Sequence, residues 1–197
     1  MNKENEKKIF LFLISFLPIS IIVGSSTSLI NILLVCLIYL IFLINYKNFN
    51  FTKSNAIVLL LLCYLYLIFN SFISLDPKLG ALRNFGFLRL IIFFLAINYF
   101  VYKFGNLNKI FKIWLLLFLL VIFDSFIEFY FGTNMLGFGA DYGNRIVSFF
   151  KDEPIVGAYL NGFGFILIGY FFDNFYFKNN YSKFLFYLLI IIFFICL

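Results

Sequence analysis

The sequence predicts an all-α protein, a polytopic bundle of transmembrane helices with a cytoplasmic N-terminus. Of its 197 residues, 64% are hydrophobic and 12% are charged, and the mean hydropathy is +1.04. Soluble domains are about half apolar and about one-quarter charged, so no water-soluble fold hides this much apolar surface. A helix needs roughly 20 apolar residues to cross a bilayer, and the chain length therefore allows about seven crossings.

Long apolar runs without polar alternation exclude a β-barrel, and lipid offers no partners to free backbone groups, so the spanning segments are helices. Seven runs carry this prediction: 9–23, 29–44, 56–73, 85–102, 110–131, 155–172 and 184–197. The connections between them are short and polar: 24–28, 46–55, 74–83, 103–109, 132–154 and 173–183. We therefore treat 1–197 as a single transmembrane domain.

The first run follows Lys3, Lys7 and Lys8, as the apolar part of a signal peptide would. It lacks a small-x-small cleavage site and another long apolar run follows it directly, so we expect a retained helix.

The distribution of basic residues predicts the orientation, because cytoplasmic loops carry the excess of lysine and arginine. With the N-terminus in the cytoplasm, ten basic residues face inward: Lys3, Lys7, Lys8, Lys47, Lys53, Lys103, Lys109, Lys112, Lys178 and Lys183. Four face outward: Lys78, Arg83, Arg145 and Lys151. The topology accounts for the net charge of +6, and no solvated domain gathers that charge, so we expect no nucleic-acid partner.

The sequence contains no histidine, the commonest general base and metal ligand. Cys36, Cys63 and Cys196 lie inside apolar runs without the spacing of a metal site. We expect no metal and no cofactor.

All three arginines, Arg83, Arg89 and Arg145, map to the outer half of the predicted bundle. The planar guanidinium matches phosphate and carboxylate groups, and a charge held within a membrane needs a partner or a purpose. Arg89 lies over a turn inside its helix. It either pairs with Asp124 and Glu128, which are four residues apart on one helical face, or serves a ligand. Arg83 either serves a ligand too or extends into the interface.

The outer stretch 139–160 is polar, rich in glycine and aromatic. Pro154 after Asp152 and Glu153 is typical of a helix start, where carboxylates complement the dipole and free N–H groups also meet anions. A well-capped helix without a ligand is the alternative.

The segment 144–160 resembles the signature Arg-x-x-Gly-x-Phe-x-Asp-Glu-x-x-x-Gly-x-x-Leu of O-antigen polymerase and ligase-like membrane proteins. The matching residues are Arg145, Phe150, Asp152, Glu153, Gly157 and Leu160, and Ser148 stands where the family usually has glycine. Upstream, Ser74-Leu-Asp76-Pro77 followed by Arg83 and Arg89 is similar to the family's segment before its fourth helix. The resemblance covers nearly all of the chain. Family members typically have more spans and a large later periplasmic loop, so we expect an N-terminal portion of a larger enzyme.

The resemblance implies a membrane glycosyltransferase of the bacterial inner membrane, acting in O-antigen, lipopolysaccharide or other surface polysaccharide biosynthesis. Its donor would be an oligosaccharide linked to undecaprenyl diphosphate, and a chain-length regulator protein would be a partner. The loop 132–154 would be periplasmic. A diphosphate leaving group calls for fixed cations, which makes Arg145 the first catalytic candidate. Arg83, Arg89 and Asp152 are the candidates for substrate binding.

The acceptor hydroxyl needs a general base, and the outer carboxylates are the candidates in the absence of histidine. They are Asp124, Glu128, Asp141, Asp152 and Glu153. Glu153 fits the resemblance best and is the second catalytic candidate, with a plain helix-start carboxylate as its alternative role.

Two other classes of protein stay open. A transporter or lipid-carrier flippase would use embedded charges such as Arg89, Asp124 and Glu128 for coupling or for binding a headgroup. A non-catalytic membrane scaffold would use the same charges for folding alone, and would tolerate lysine or alanine in place of Arg145.

Overall fold

The computed structural model describes residues 3–46, 55–104, 107–139, 145–151 and 155–175, together with positions 183, 187, 190 and 191. Every regular element in these ranges is helical, which confirms the all-α prediction. The elements are α1 (Lys3–Val23), α2 (Ser25–Tyr46), α3 (Asn55–Ile73), α4 (Pro77–Gly86), α5 (Leu88–Phe104), α6 (Asn108–Phe131), a short 3-10 turn (Ser148–Phe150) and α7 (Val156–Phe175).

Four helical segments of the described residues are long and apolar enough to cross a membrane. They are Ser25–Ile44, Asn55–Ile73, Pro77–Lys103 and Asn108–Phe131, and Val156–Phe172 is a shorter apolar helix. Seven spans are not confirmed. The helix α1 forms as expected, but its first turns carry charged residues and it is not among the four. The predicted run 184–197 lies outside the described residues except for three positions, and the orientation stays a prediction.

The predicted loop 74–83 is wrong for most of its length, because residues from Pro77 onward form α4. The Asp76 side chain caps this helix by accepting a hydrogen bond from the Leu79 N–H at 3.1 Å, and proline at the first helical position suits the same start. Phe87, with φ −66° and ψ −22°, joins α4 to α5. The segment Pro77–Lys103 is therefore one apolar helix with an interruption at Phe87.

Polar and small side chains hold α4 against α3. The Asn84 amide donates to the Leu67 carbonyl at 2.8 Å and to the Ser71 hydroxyl oxygen at 2.7 Å. A Cβ on Gly80 would lie 3.6 Å from the Ser71 Cα of α3 and 2.8 Å from the Ser74 Oγ just after it, so α4 lies close to α3 here. Small residues and interhelical hydrogen bonds of this kind are the usual means of association between apolar helices.

The chain divides into two compact units, which we describe separately. The first comprises Met1–Leu17 and Ser25–Leu107, and the second comprises Pro18–Gly24 and Asn108–Leu197. In the first unit, the fully buried Phe100 ring stacks on Phe10 with centroids 4.0 Å apart and meets Phe42 edge-on at 5.3 Å. These rings tie α5 to α1 and α2.

In the second unit, α6 and α7 run antiparallel. Phe111 stacks on Tyr170 at 3.9 Å, and Trp114, one turn further along α6, meets Phe163 edge-on at 5.1 Å. Because position rises along α6 as it falls along α7, the two helices point in opposite directions. The far end of α6 is therefore on the same side as the start of α7.

We expect Asn84→Leu to destabilise the protein by about 0.6–2 kcal/mol, since it removes an interhelical polar contact between apolar helices. Asn98→Leu is the matched control, because exposed Asn98 donates to the Phe94 carbonyl of its own helix at 2.8 Å. We expect that control to stay within about 0.5 kcal/mol of the wild type. Thermal unfolding of the purified protein in detergent measures both. Equal losses in the two variants would contradict the role given to Asn84.

Candidate functional site

Two acidic side chains lie buried on one face of α6. Asp124 is 0% exposed and Glu128 is 5% exposed. Their separation of four residues places both carboxyl groups on the same side of the helix, as the sequence predicted. A buried carboxylate is very unfavourable unless hydrogen-bond donors surround it, so the position of those donors is decisive.

The first hydrogen-bond donor to these acids, the Met135 N–H, lies in the turn that ends α6. Gly132, with φ +77°, closes the helix by donating its N–H to the Glu128 carbonyl at 2.8 Å. The buried Asn134 side chain then accepts hydrogen bonds from the Leu136 and Phe138 N–H groups, at 3.0 and 2.7 Å. Since this side chain holds the turn in place, the Met135 N–H meets the Asp124 Oδ1 at 3.0 Å.

The other donors come from the segment that returns to α6, residues 145–151. The Val147 and Ser148 N–H groups donate to the two Glu128 carboxylate oxygens at 2.9 and 2.5 Å. The Ser148 hydroxyl donates to Asp124 Oδ2 at 2.6 Å. With the bond from Met135, each of the four carboxylate oxygens accepts a hydrogen bond. The hydrogen bonds from the loop thus offset the unfavourable desolvation of both carboxylates.

Asn134 links the two halves of the loop. Its amide nitrogen donates to the Ser148 carbonyl at 2.5 Å, while its oxygen holds the first turn. Gly139 allows the close approach: a Cβ there would lie 2.5 Å from the Glu128 Oε1, and its φ of +117° disfavours other residues. We name the set Asp124, Glu128, Asn134, Gly139 and Ser148 the carboxylate latch.

Aromatic packing holds the returning segment against α7. The buried Phe150 ring of the 3-10 turn meets Tyr159 on α7 with centroids 5.2 Å apart. Tyr159 in turn packs against Phe163 at 4.7 Å. The Lys151 ammonium lies 6.0 Å from the centroid of the Phe138 ring. The segment is therefore held by α6 through hydrogen bonds and by α7 through its rings.

The predicted site residues occupy different parts of the chain. Arg145 is exposed at the start of the returning segment, in the second unit. Arg83, in the last turn of α4, and Arg89, in the first turn of α5, are exposed in the first unit. The predicted candidates Asp152 and Glu153 lie outside the described residues, as do Asp141 and Pro154. The structure thus leaves the roles of these residues as predictions.

The buried acids had four predicted roles: pairing with Arg89, general base catalysis, coupling in a transporter, or folding alone. The structure shows hydrogen bonds from loop N–H groups to these acids, and the sequence did not predict these donors. Pairing with Arg89 stays a prediction. The missed residues are Asn134 and Gly139, and a signal for the turn was present in the spacing of Asn134 and Gly137. Within the described ranges, no group of three His, Cys, Asp or Glu residues is arranged to hold a metal ion.

Together these elements define an all-helical protein with helices of membrane-spanning length and a loop folded onto two buried carboxylates. No family model, no curated protein and no solved structure matches the chain.

We expect Ser148→Ala to be less stable than Ser148→Gly by about 1 kcal/mol. Both variants lose the hydroxyl that donates to Asp124, so the comparison isolates the backbone preference of the new residue. Ser148 has φ +48°, which glycine adopts freely and alanine does not. Thermal unfolding in detergent measures the difference. A variant with alanine as stable as the one with glycine would contradict the left-handed conformation at this position.

Proposed function

We propose that this chain is part of a bacterial inner-membrane glycosyltransferase of the O-antigen polymerase or ligase type. It transfers an oligosaccharide from undecaprenyl diphosphate to a sugar acceptor during surface polysaccharide biosynthesis. The observation that carries the proposal is the position of Arg145. This exposed cation lies two and three residues before Val147 and Ser148, whose N–H groups donate hydrogen bonds to the Glu128 carboxylate on α6.

A cation on a fixed backbone suits a diphosphate leaving group. Guanidinium groups bind phosphate oxygens through two parallel hydrogen bonds, and a preorganised cation stabilises charge that develops as a bond breaks. Two residues separate Arg145 from the buried Ser148, so the backbone on which the arginine stands is held close to the end of α6. Such an anchor limits the reorganisation needed when the donor binds.

The proposed reaction forms one bond and breaks another. The acceptor hydroxyl oxygen bonds to the anomeric carbon of the donor, and the bond from that carbon to the diphosphate oxygen breaks. The departing diphosphate keeps the electron pair and is stabilised by Arg145. A carboxylate takes the proton of the acceptor hydroxyl, and we assign this role to Glu153, with Asp152 in substrate binding. Both residues directly follow the returning segment, 145–151, in the sequence.

Arg83 and Arg89 are proposed to contact the lipid-linked donor. They stand on either side of the Phe87 interruption in one apolar segment, and both are exposed. A charge at such a position is unfavourable in lipid alone and calls for an anionic partner. A lipid-linked diphosphate at the membrane surface provides one.

The interruption also favours a second candidate function, a lipid-carrier flippase or other transporter. Discontinuous helices commonly form the substrate sites of transporters, and here the break is the single residue Phe87, which keeps right-handed dihedral angles. The acids that would serve for coupling, Asp124 and Glu128, already accept hydrogen bonds from the loop, which favours the glycosyltransferase.

The decisive experiment measures undecaprenyl diphosphate binding to the purified chain in lipid nanodiscs. We expect Arg145→Ala to weaken binding by roughly ten- to hundredfold, because a hydrogen bond to a charged group contributes about 1.5–3 kcal/mol. Arg145→Lys should retain part of the affinity, since the charge remains and the planar fork is lost. Lys109→Ala, which removes another exposed cation, should bind as the wild type does.

Activity is measured in a bacterium that lacks its own polymerase and carries the gene at its full natural length. A polysaccharide ladder restored by the wild type and lost in Arg145→Ala supports the proposal. Equal binding and equal ladders in wild type and Arg145→Ala would overturn it. Transfer of a fluorescent polyprenyl diphosphate between leaflets, without ladder formation, would favour the flippase instead.

A further inference from the structure

Ser148 has every polar group hydrogen-bonded, although it lies in a loop. Its N–H donates to Glu128 Oε2 at 2.5 Å, its hydroxyl to Asp124 Oδ2 at 2.6 Å, and its carbonyl accepts from Asn134 Nδ2 at 2.5 Å. The residue is 0% exposed. These three hydrogen bonds and the complete burial hold Ser148 in one position.

The backbone at this point forms an anion-binding nest. Val147 has right-handed dihedral angles, φ −110° and ψ −23°, and Ser148 follows with φ +48°. This succession turns consecutive N–H groups toward one point, where an anion binds. Here the anion is the Glu128 side chain of the same chain, with one oxygen for each of the two N–H groups.

Glu128 is placed where its charge otherwise destabilises. It lies in the last turn of α6, where the negative end of the helix dipole repels an anion. It is also nearly inaccessible to solvent, at 5% exposed. The nest compensates for both effects, so the loop and the acid stabilise each other.

We infer that Glu128 is a positioning residue, which acts through the nest to hold Arg145 at the place where it binds the donor diphosphate. The inference rests on the proposed function for the role of Arg145. Glu128 is not the general base, because both of its oxygens are engaged by buried N–H groups and the side chain does not reach a substrate in solvent.

The chemistry of the two acids differs, and this gives a matched pair of variants. In Glu128→Gln, one of two N–H donors meets an amide NH₂ group, which is also a donor, so one hydrogen bond is lost and two donors face each other. In Asp124→Asn, the amide oxygen still accepts from Met135, and the new NH₂ donates to the Ser148 hydroxyl oxygen, whose proton rotates away and loses its acceptor, so no two fixed donors face each other. Both changes remove one carboxylate from the same face of α6.

The first measurement is the rate at which trypsin cuts after Arg145 in detergent, with the cut after exposed Lys78 as the internal reference. Cleavage requires local opening of the loop, and its rate follows the population of the open form. We expect cleavage after Arg145 in Glu128→Gln to be roughly tenfold faster or more, because a buried donor loses its acceptor. Asp124→Asn should be cut more slowly than Glu128→Gln, because its Ser148 hydroxyl rotates whereas the N–H groups that face Glu128 are fixed.

The second measurement is the Kd for undecaprenyl diphosphate, determined on the folded, monodisperse fraction in nanodiscs. We expect Glu128→Gln to bind more weakly by roughly tenfold, within the loss expected for Arg145→Ala. When Glu128→Gln is combined with Arg145→Ala, the Kd should equal that of Arg145→Ala alone, since Glu128 acts through Arg145. A residue with a general structural role would give additive losses.

If Glu128→Gln yields too little folded protein, Gly139→Ala tests the same contact with the carboxylate intact. Its Cβ would approach Glu128 Oε1 to 2.5 Å. Gly137→Ala is its control, because Gly137 also has a positive φ, of +83°, but a Cβ there meets nothing within 4 Å. We expect faster cleavage after Arg145 in Gly139→Ala than in Gly137→Ala.

The outcomes separate this inference from the proposed function. Equal cleavage rates in Glu128→Gln and Asp124→Asn, or in Gly139→Ala and Gly137→Ala, would overturn the latch. Wild-type binding that is lost in Arg145→Ala and kept in Glu128→Gln would overturn the positioning role and leave the proposed function standing. Expected cleavage rates together with no binding by the wild type would refute the proposed function and the role that rests on it, while the latch would stand as a structural contact.

Discussion

A carboxylate withdrawn from water must find hydrogen-bond donors, and Asp124 and Glu128 find theirs in the chain that follows their own helix. The Met135 N–H, the Val147 N–H and both donors of Ser148 converge on the four oxygens. The glycine at the end of α6, the close approach at position 139 and the 3-10 turn all follow from bringing those donors into place. Two acids on one helical face therefore hold residues 132–139 and 145–151 in place beside the end of α6.

Apolar runs predicted most of the helices, because a helix in apolar surroundings needs apolar side chains along most of its length. The exception, α4, carries Lys78, Arg83 and Asn84, and these interrupt the apolar count although the helix packs along α3. Its signal was in the sequence, since Asp76 before Pro77 is a capping residue followed by the commonest first residue of a helix. Hydropathy alone fails where a glycine and an amide form the contact between helices.

The loop was harder to predict, because most donors in it are backbone N–H groups. Every residue except proline has one, so Met135 and Val147 carry no signal in their side chains. The helical spacing of Asp124 and Glu128 did predict a shared face, but not what would occupy it. The left-handed backbone at Ser148 is a conformation that glycine adopts freely, so a serine at this position gave no signal for the turn.

The acids of α6 are synthesised before the groups that satisfy them. Val147 follows Glu128 by 19 residues, and Ser148 follows Asp124 by 24. At about 5–20 residues per second, the donors leave the ribosome roughly 1 to 5 seconds after the acceptors. In a chain inserted into a bilayer, α6 therefore enters with two acidic side chains near its C-terminal end that await their hydrogen-bond donors, and a buried carboxylate without donors is very unfavourable. Biogenesis of this protein thus has a defined order, in which docking of the loop completes the insertion of the helix before it.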